Sequence, residues 1–224
     1  MEKRIIRQII RESIDELLGE GCIDEMAYPE NFNIEEFKNI KSFAGKVKYA
    51  QLHLLGKVGA GSSRAVFKID DEKVIKIAMN KKGLAQNLSE SEGFKQNYDI
   101  LARVFDIDQD DMWIEMELAK KITFPKRFEQ LVGTTVQELE QWLRSKRGLV
   151  MWGKFTDLGE NEFAEDLWNF IEDYDYPVPG DFGRLSSYGE VLRDGKPTVV
   201  VIDFGFDKNT SGEHEKKKKM RYAY

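Results

Sequence analysis

Three charged residues of the sequence stand where they could handle a phosphate group. Lys76 alternates with apolar neighbours over residues 74–78, and a lysine in so apolar a strand costs desolvation free energy unless its ammonium meets a carboxylate or a phosphate. Asp203 follows the apolar run 199–202, and a carboxylate at the end of a buried strand is a natural ligand for Mg²⁺ that bridges phosphate oxygens. Asp181 lies earlier, in a glycine-containing loop. Each has an ordinary alternative, as an outward-facing lysine or as a turn residue.

A glycine-rich segment precedes the lysine. Gly59, Gly61 and Ser62 lie between two predicted strands, where glycines let the backbone approach a phosphate chain and successive N–H groups can point at anionic oxygens. The segment is not a dinucleotide-binding fingerprint, because no helix follows immediately, and it lacks the Gly-Lys-Ser/Thr of a Walker loop. The same residues are common in hairpins, so a simple turn remains open.

Two glutamates are candidates to neutralise the lysine. Glu90 and Glu92 lie on the predicted helix that follows the strand of Lys76. Either carboxylate could fold back across the sheet to the ammonium, and the sequence does not choose between them.

A small sheet and one helix must position these side chains. Alternating patterns and turn signals predict five strands, with a helix over residues 84–103 between the third and the fourth. The predicted strands cover residues 52–58, 65–69, 73–78, 104–107 and 113–118. This arrangement is typical of an α+β unit.

Helical patterns flank the predicted sheet on both sides. Apolar residues recur every three to four positions over residues 5–18 and predict a helix that packs on the fold or binds a partner. Asn33 with Glu36, and Thr135 with Glu138, are capping-box signals for two further helices.

The end of the sequence carries a further helix, a hairpin and a polar tail. A helix is expected over residues 163–171, and two short strands, at Val191 and at 199–202, surround the turn 194–195. The lysine run 216–219 belongs to a polar segment, expected to be a solvated tail or a marginal helix.

Composition excludes several classes of protein. Lys and Arg minus Asp and Glu give 34 − 40 = −6, so no general basic field attracts nucleic acid. No apolar run approaches the roughly 20 residues that span a bilayer, and the N-terminus has no signal-peptide pattern. One cysteine and two histidines are too few for a disulfide or for a typical zinc site. We therefore expect a cytoplasmic protein without nucleic-acid or membrane partners, which would hold any metal through carboxylates.

Taken in order, these segments resemble the protein-kinase-like superfamily, and especially small kinase-like proteins of bacteriophages and bacteria. The resemblance covers roughly residues 52–206 and implies a two-lobed α+β fold. It implies an N-terminal helical extension over 1–46, an N-lobe with a five-stranded antiparallel sheet and a helix over 47–118, and a reduced, mostly helical C-lobe over 119–224. A bacteriophage origin would place the protein in the host cytoplasm.

The resemblance also implies ATP and Mg²⁺ as cofactors and gives each candidate residue a role. The glycine-rich segment would cover the nucleotide phosphates, Lys76 would bind them, and Glu90 (or Glu92) would hold the lysine. Residues 116–119 would form the hinge that meets adenine. The remaining implied roles fall to Glu117 and Leu118 in the hinge, to Asp203 and Ser186 as metal ligands, and to Asp181 as the group that orients or deprotonates the accepting hydroxyl.

Several departures from the family pattern weaken the catalytic expectation more than the nucleotide-binding one. Arg64 stands where the third glycine of the loop belongs, and the His-Arg-Asp triplet reads as residues 179–181, Pro-Gly-Asp. Ser186 stands where the family has a metal-binding Asn, and a serine hydroxyl is a poorer Mg²⁺ ligand. The few residues after Gly205 lack the region that docks peptide substrates, so a conventional regulated protein kinase is not expected.

Three functions remain open at this stage. The first is a minimal phosphotransferase that moves a phosphoryl group from ATP to the hydroxyl of a small molecule, of another protein or of itself. The second is a pseudokinase that binds a protein partner, including a host protein if the chain is phage-encoded. The third is a structural or assembly protein in which the motifs are ordinary turns and strand ends.

Overall fold

The computed structural model describes residues 28–95, 98–149, 156–173 and 182–204. The predicted helix over residues 5–18 and the lysine run 216–219 lie outside these residues. The helices are α1 Ile34–Asn39, α2 Phe43–His53, α3 Lys81–Phe94, α4 Pro125–Val132, α5 Val136–Lys146 and α6 Glu162–Asp173. The strands are β1 Gly56–Ala60, β2 Arg64–Lys68, β3 Lys73–Ala78, β4 Val104–Ile107, β5 Trp113–Glu117, β6 Lys120–Lys121, β7 Tyr188–Arg193 and β8 Lys196–Val201.

The first part of the fold is a five-stranded antiparallel sheet. Its strand order is β1-β2-β3-β5-β4, and α3 connects the third strand to the fourth. Helices precede the sheet and dominate the segment after it. The predicted α+β fold class is therefore confirmed.

The two faces of this sheet have different partners, and the strand register shows which residues share a face. Lys76 pairs with Ile114, and Ile75 pairs with Glu115 on the neighbouring strand. Side chains of directly opposite residues share a face and alternate along each strand. The face of Ile114 joins the large core formed with α4, α5 and α6, whereas the face of Ile75 is covered by residues of α1 and α2.

The second part of the fold combines three helices with a three-stranded antiparallel sheet of order β6-β7-β8. Asp194 and Gly195 both have positive φ, at 51° and 74°, and form the predicted turn between β7 and β8. Strand β8 is also tied to the first part, because the Val201 N–H donates to the Ile100 carbonyl at 2.7 Å and the Ala102 N–H donates to the Val201 carbonyl at 3.0 Å. These bonds bring the chain after β8 beneath the five-stranded sheet.

Two predicted elements have different bounds in the structure. The strand expected over residues 52–58 is present, but it begins and ends later, at Gly56–Ala60, because α2 continues to His53. Helix α2 starts where the Ser42 side chain accepts a hydrogen bond from the Gly45 N–H, a capping signal that the sequence reading passed over. The helix expected over 84–103 begins earlier, at Lys81, and ends at Phe94.

Other boundaries also need comment. The Thr135–Glu138 capping box at the start of α5 is formed as predicted. Helix α4 was not predicted, and it starts with Pro125 at its first helical position, where proline costs no hydrogen bond. The expected boundary between residues 46 and 47 falls inside α2, and the division into 1–46, 47–118 and 119–224 stays a prediction.

Glu115 is a buried carboxyl group on the outer face of the sheet. Its Oε1 accepts a hydrogen bond from the Tyr28 hydroxyl, and its Oε2 has no hydrogen-bond partner among the residues that the structure describes. Burial raises the pKa of Glu115 to about 7 from 4.5. The folded protein therefore keeps a proton on this group at pH values where the unfolded chain has lost it.

We predict that Glu115 makes the protein less stable as pH rises from about 4.5 to about 7, because in that window the folded state binds the extra proton. Replacement of Glu115 by Gln should remove this contribution and stabilise the protein on the order of 3 kcal/mol above pH 7. Chemical denaturation at several pH values measures the difference. Parallel stability profiles for the wild type and Glu115→Gln would contradict the prediction.

Candidate functional site

The structure pairs Lys76 with Glu90 and not with Glu92. The Lys76 Nζ lies 2.9 Å from Glu90 Oε2 and 3.1 Å from Glu90 Oε1. Both side chains are buried, the Glu90 carboxylate completely, whereas Glu92 is exposed on α3. Strand β3 places the lysine on the inner face of the sheet, and α3 crosses that face with its glutamate directed inward.

Arg64 is a second cation on the same glutamate. Its Nη1 lies 2.8 Å from Glu90 Oε2 and its Nη2 lies 2.9 Å from Glu90 Oε1, so the two groups form a forked ion pair. Arg64 is the first residue of β2, directly after the glycine-rich segment, and it is itself buried. In the sequence, Arg64 is marked only by its departure from the family glycine pattern. One feature of the sequence could have indicated its role. Arg64 lies two positions before Val66, which pairs with Lys76, so the Arg64 and Lys76 side chains share a face of the sheet.

Asp203 joins this cluster from a distant part of the chain. The Arg64 Nη2 also donates to Asp203 Oδ1 at 2.9 Å, although 139 residues separate the two in sequence. In addition, the Lys76 ammonium donates to the Ile202 carbonyl at 2.7 Å. The end of β8 therefore meets β2 and β3, and half of the Asp203 side chain remains exposed.

The electrostatics of the buried groups follow from their contacts. Burial by itself raises the pKa of Glu90, but the Arg64 and Lys76 cations outweigh it and hold that pKa below its usual value. Burial lowers the pKa of Lys76, against the opposing effect of Glu90. Two cations and one carboxylate thus share the water-excluded part of the site.

The glycine-rich hairpin directly precedes Arg64 and is held to the start of α3. The Asn80 side chain donates to the Ser62 carbonyl at 3.0 Å, and the Ser63 hydroxyl donates to Gln86. A Cβ atom placed at Gly59 or at Gly61 would meet no atom within 4 Å, so the space beside both glycines is open. The Gly61 N–H is not available to a ligand, because it donates to the Arg64 carbonyl at 2.9 Å.

The predicted hinge residues are partly engaged in other contacts. The Glu117 N–H donates to the Arg103 carbonyl at 2.8 Å, and the Leu118 N–H donates to the Glu72 carbonyl at 2.6 Å. The Glu117 carboxylate pairs with Arg193 at 2.7 Å. A base bound at this edge would therefore have to use other backbone groups of the segment.

The two remaining predicted site residues are Asp181 and Ser186. Asp181 lies outside the described residues, so the structure does not position it. Ser186 is exposed in a short 3₁₀ turn, Leu185–Ser187, and the carbonyl of its neighbour Ser187 accepts the Ile202 N–H at 2.9 Å. Ser186 and Asp203 thus belong to adjoining segments.

A divalent metal does not fit the described side chains of the cleft as they are arranged. Mg²⁺ takes several oxygen ligands, and the described part of the chain contains no group of three or more His, Cys, Asp or Glu residues that could hold a metal ion. The Asp203 carboxylate, which is the expected ligand, already pairs with the Arg64 guanidinium. A metal cation bound to the same carboxylate would be repelled by the positive charge of that guanidinium.

One cavity of the described residues lies outside the cleft. A cavity of about 250 Å³ lies between α1 and the β4–β5 turn, on the outer side of the sheet, and is lined by Lys38, Lys41, Trp113 and residues 106–110. It includes neither Lys76 nor Asp203.

Among the described residues, no helix has the length and apolar character needed to cross a membrane.

The sequence matches no protein-family profile and no curated protein. A SAICAR synthase from Saccharomyces cerevisiae, complexed with SAICAR, matches with a TM-score of 0.37 and 12% identity over 67% of this chain and 73% of that one. The aminoglycoside phosphotransferase APH(2″)-Ib bound to ADP matches with a TM-score of 0.31 and 13% identity over 74% and 71%. APH(2″)-IIa in its streptomycin–ATP complex matches with a TM-score of 0.32 and 13% identity over 75% and 71%.

These matched proteins have the protein-kinase-like fold. At such low TM-scores the similarity decides nothing about what this chain binds or catalyses. The chemistry of the cleft has to be judged from its own residues.

We predict that Glu90→Gln destabilises the protein by about 3 kcal/mol, because it leaves two buried cations without their shared carboxylate. Glu92→Gln is the matched control on the same helix, and as an exposed substitution it should change stability by less than about 0.5 kcal/mol. Urea unfolding of both variants measures the effect. Equal losses for the two would show that the buried cluster does not hold the fold together.

Proposed function

We propose that this chain is a kinase-like protein that binds ATP in the cleft between the five-stranded sheet and the end of β8. The observation that carries the proposal is the convergence of Lys76, Glu90 and Asp203 next to Arg64, which directly follows the glycine-rich segment. A structural protein has no need to bury a lysine and a glutamate together, because apolar side chains of similar size stabilise a core at least as well. The cluster is better explained by a role in binding an anion.

The triphosphate is the part of ATP that suits this cleft. Lys76 and Arg64 supply two cations on the inner face of the sheet, and the open space beside Gly59 and Gly61 can take phosphate groups. Lys76 keeps Glu90 as its anchor, and a phosphate oxygen takes the place of the Ile202 carbonyl on the ammonium. The lysine then contacts the phosphate without losing its buried partner.

We propose phosphoryl transfer to a hydroxyl group as the reaction. The acceptor oxygen attacks the γ-phosphorus, the bond from that phosphorus to its bridging oxygen breaks, and ADP leaves. Asp181 is proposed to take the proton of the hydroxyl. The acceptor is a small molecule or a protein.

The second candidate function is that of a pseudokinase, and one contact favours it. The Asp203 carboxylate, which would hold the metal in an active kinase-like site, is paired with Arg64. Ser186, the other expected metal ligand, is exposed and carries only a hydroxyl group. Under this alternative the chain binds nucleotide and acts through a protein partner.

We predict that Lys76→Met weakens ATP binding by at least about tenfold, because it removes a buried cation from the phosphate site. Lys73→Met is the matched control, since Lys73 lies on the same strand with its side chain over Phe105 on the outer face. Isothermal titration calorimetry of both variants with ATP measures the difference, and circular dichroism verifies that they are folded. Equal affinity for the wild type and Lys76→Met would refute the site.

ATP turnover distinguishes the two candidate functions. Incubation of the purified protein with γ-labelled ATP should release or transfer label if the chain is a phosphotransferase, and Asp181→Ala should abolish that turnover. ATP binding with no turnover in the wild type would support the pseudokinase.

A further inference from the structure

Among the residues that the structure describes, four charged side chains meet in the cleft, and their charges sum to zero. Arg64 and Lys76 contribute two positive charges, and Glu90 and Asp203 contribute two negative charges. Without Arg64, the Lys76–Glu90 pair and Asp203 would carry one net negative charge. A net negative charge on oxygen ligands attracts a divalent cation. The Arg64 guanidinium cancels that charge.

Arg64 is a fixed part of the site and not a mobile surface side chain. Its side chain is only 9% exposed, and it begins β2, where its carbonyl accepts the Gly61 N–H. The guanidinium donates to both Glu90 oxygens and to Asp203, and its Nη1 lies 3.4 Å from Asn87 Oδ1. A guanidinium stays protonated at every relevant pH, so this positive charge is permanent.

A divalent cation on Asp203 would have to compete with this permanent charge. The Arg64 Nη2 is already 2.9 Å from the Asp203 carboxylate. A metal ion bound to the same carboxylate would lie a few ångströms from the guanidinium, and like charges at such separations repel each other. The arginine therefore disfavours the metal in the place where the metal would be expected.

We propose that Arg64 takes the place of the divalent cation, and that the cleft binds the triphosphate of a nucleotide without a metal. This inference rests on the proposed nucleotide-binding function and adds the form of the ligand that the site accepts. A guanidinium is well suited to this task because its planar fork of donors matches the oxygens of a phosphate group.

Asp203 is the partner that the triphosphate replaces. Glu90 is fully buried, whereas half of the Asp203 side chain is exposed. A phosphate oxygen can take the position of Asp203 on Nη2 while the displaced carboxylate turns to solvent. The forked contact to Glu90 stays intact and keeps the guanidinium in position.

The first experiment uses Mn²⁺ alone and needs no nucleotide. We expect no Mn²⁺ binding at this site in the wild type and a new, saturable site in Arg64→Gln, which loses the charge but leaves Glu90 paired with Lys76. Arg64→Lys is the matched control, since it keeps a positive charge and should exclude Mn²⁺ like the wild type. Electron paramagnetic resonance of bound Mn²⁺ is the readout. Saturable Mn²⁺ binding by the wild type that Asp203→Asn removes would overturn the inference.

The second experiment measures ATP binding in EDTA and in Mg²⁺. For the wild type we expect ATP to bind at least as tightly in EDTA as in Mg²⁺, because Mg²⁺ complexes the free triphosphate that the site accepts. For Arg64→Gln we expect at least about tenfold weaker binding in EDTA, recovered in Mg²⁺. Asp203→Asn should bind ATP in EDTA more tightly than the wild type, because it removes the carboxylate that competes for Nη2. Wild-type binding that needs Mg²⁺, or a loss of binding in Asp203→Asn, would overturn the inference.

The two experiments separate this inference from the proposed function. If the wild type excludes Mn²⁺ but binds no ATP in either buffer, the proposed function fails, and the metal-free nucleotide site fails with it, while the exclusion of the metal by Arg64 stands. If the wild type binds ATP only with Mg²⁺, the proposed function stands and the inference fails.

Discussion

The buried carboxylate of Glu90 is the interaction on which the rest of the cleft depends. A carboxylate that is completely removed from water is stable only when cations and hydrogen bonds replace its hydration. Lys76 and Arg64 provide that replacement from two neighbouring strands, and α3 provides the glutamate. The three elements must therefore keep their relative positions, and the Asp203 segment is drawn to the same place by its bond to Arg64.

This constraint explains why α3 has a polar inner face. The helix buries Gln86, Asn87, Ser89 and Glu90, where an ordinary amphipathic helix would bury apolar side chains. Its first turn also approaches the glycine-rich hairpin closely, since a Cβ atom at Gly83 would lie 2.4 Å from the Ser63 carbonyl oxygen. The hairpin, the helix and the ion pairs thus form one hydrogen-bonded unit on the inner side of the sheet.

The sequence allowed the strands and the capping box of α5 to be predicted because their signals are local. The bounds of α3 could not be predicted from such local signals. Apolar residues predict a helix over 84–103, whereas α3 begins at Lys81 and ends at Phe94. Lys76 and Asp203 could be chosen as candidates from their apolar flanks. The role of Arg64 could not be predicted, because its contacts depend on strand pairing and on Asp203, which lies 139 residues away in the sequence. Glu115 was likewise hidden, as its burial depends on Tyr28 and on the helices that cover the outer face.

A crystal structure of the protein grown with ATP and EDTA tests the central claim most directly. The account predicts density for the triphosphate beside Gly59 and Gly61, with phosphate oxygens in hydrogen-bond distance of the Lys76 ammonium and of the Arg64 guanidinium, and with Asp203 turned away. A nucleotide bound elsewhere, or a cleft in which Arg64 still holds Asp203 at saturating ATP, would contradict it.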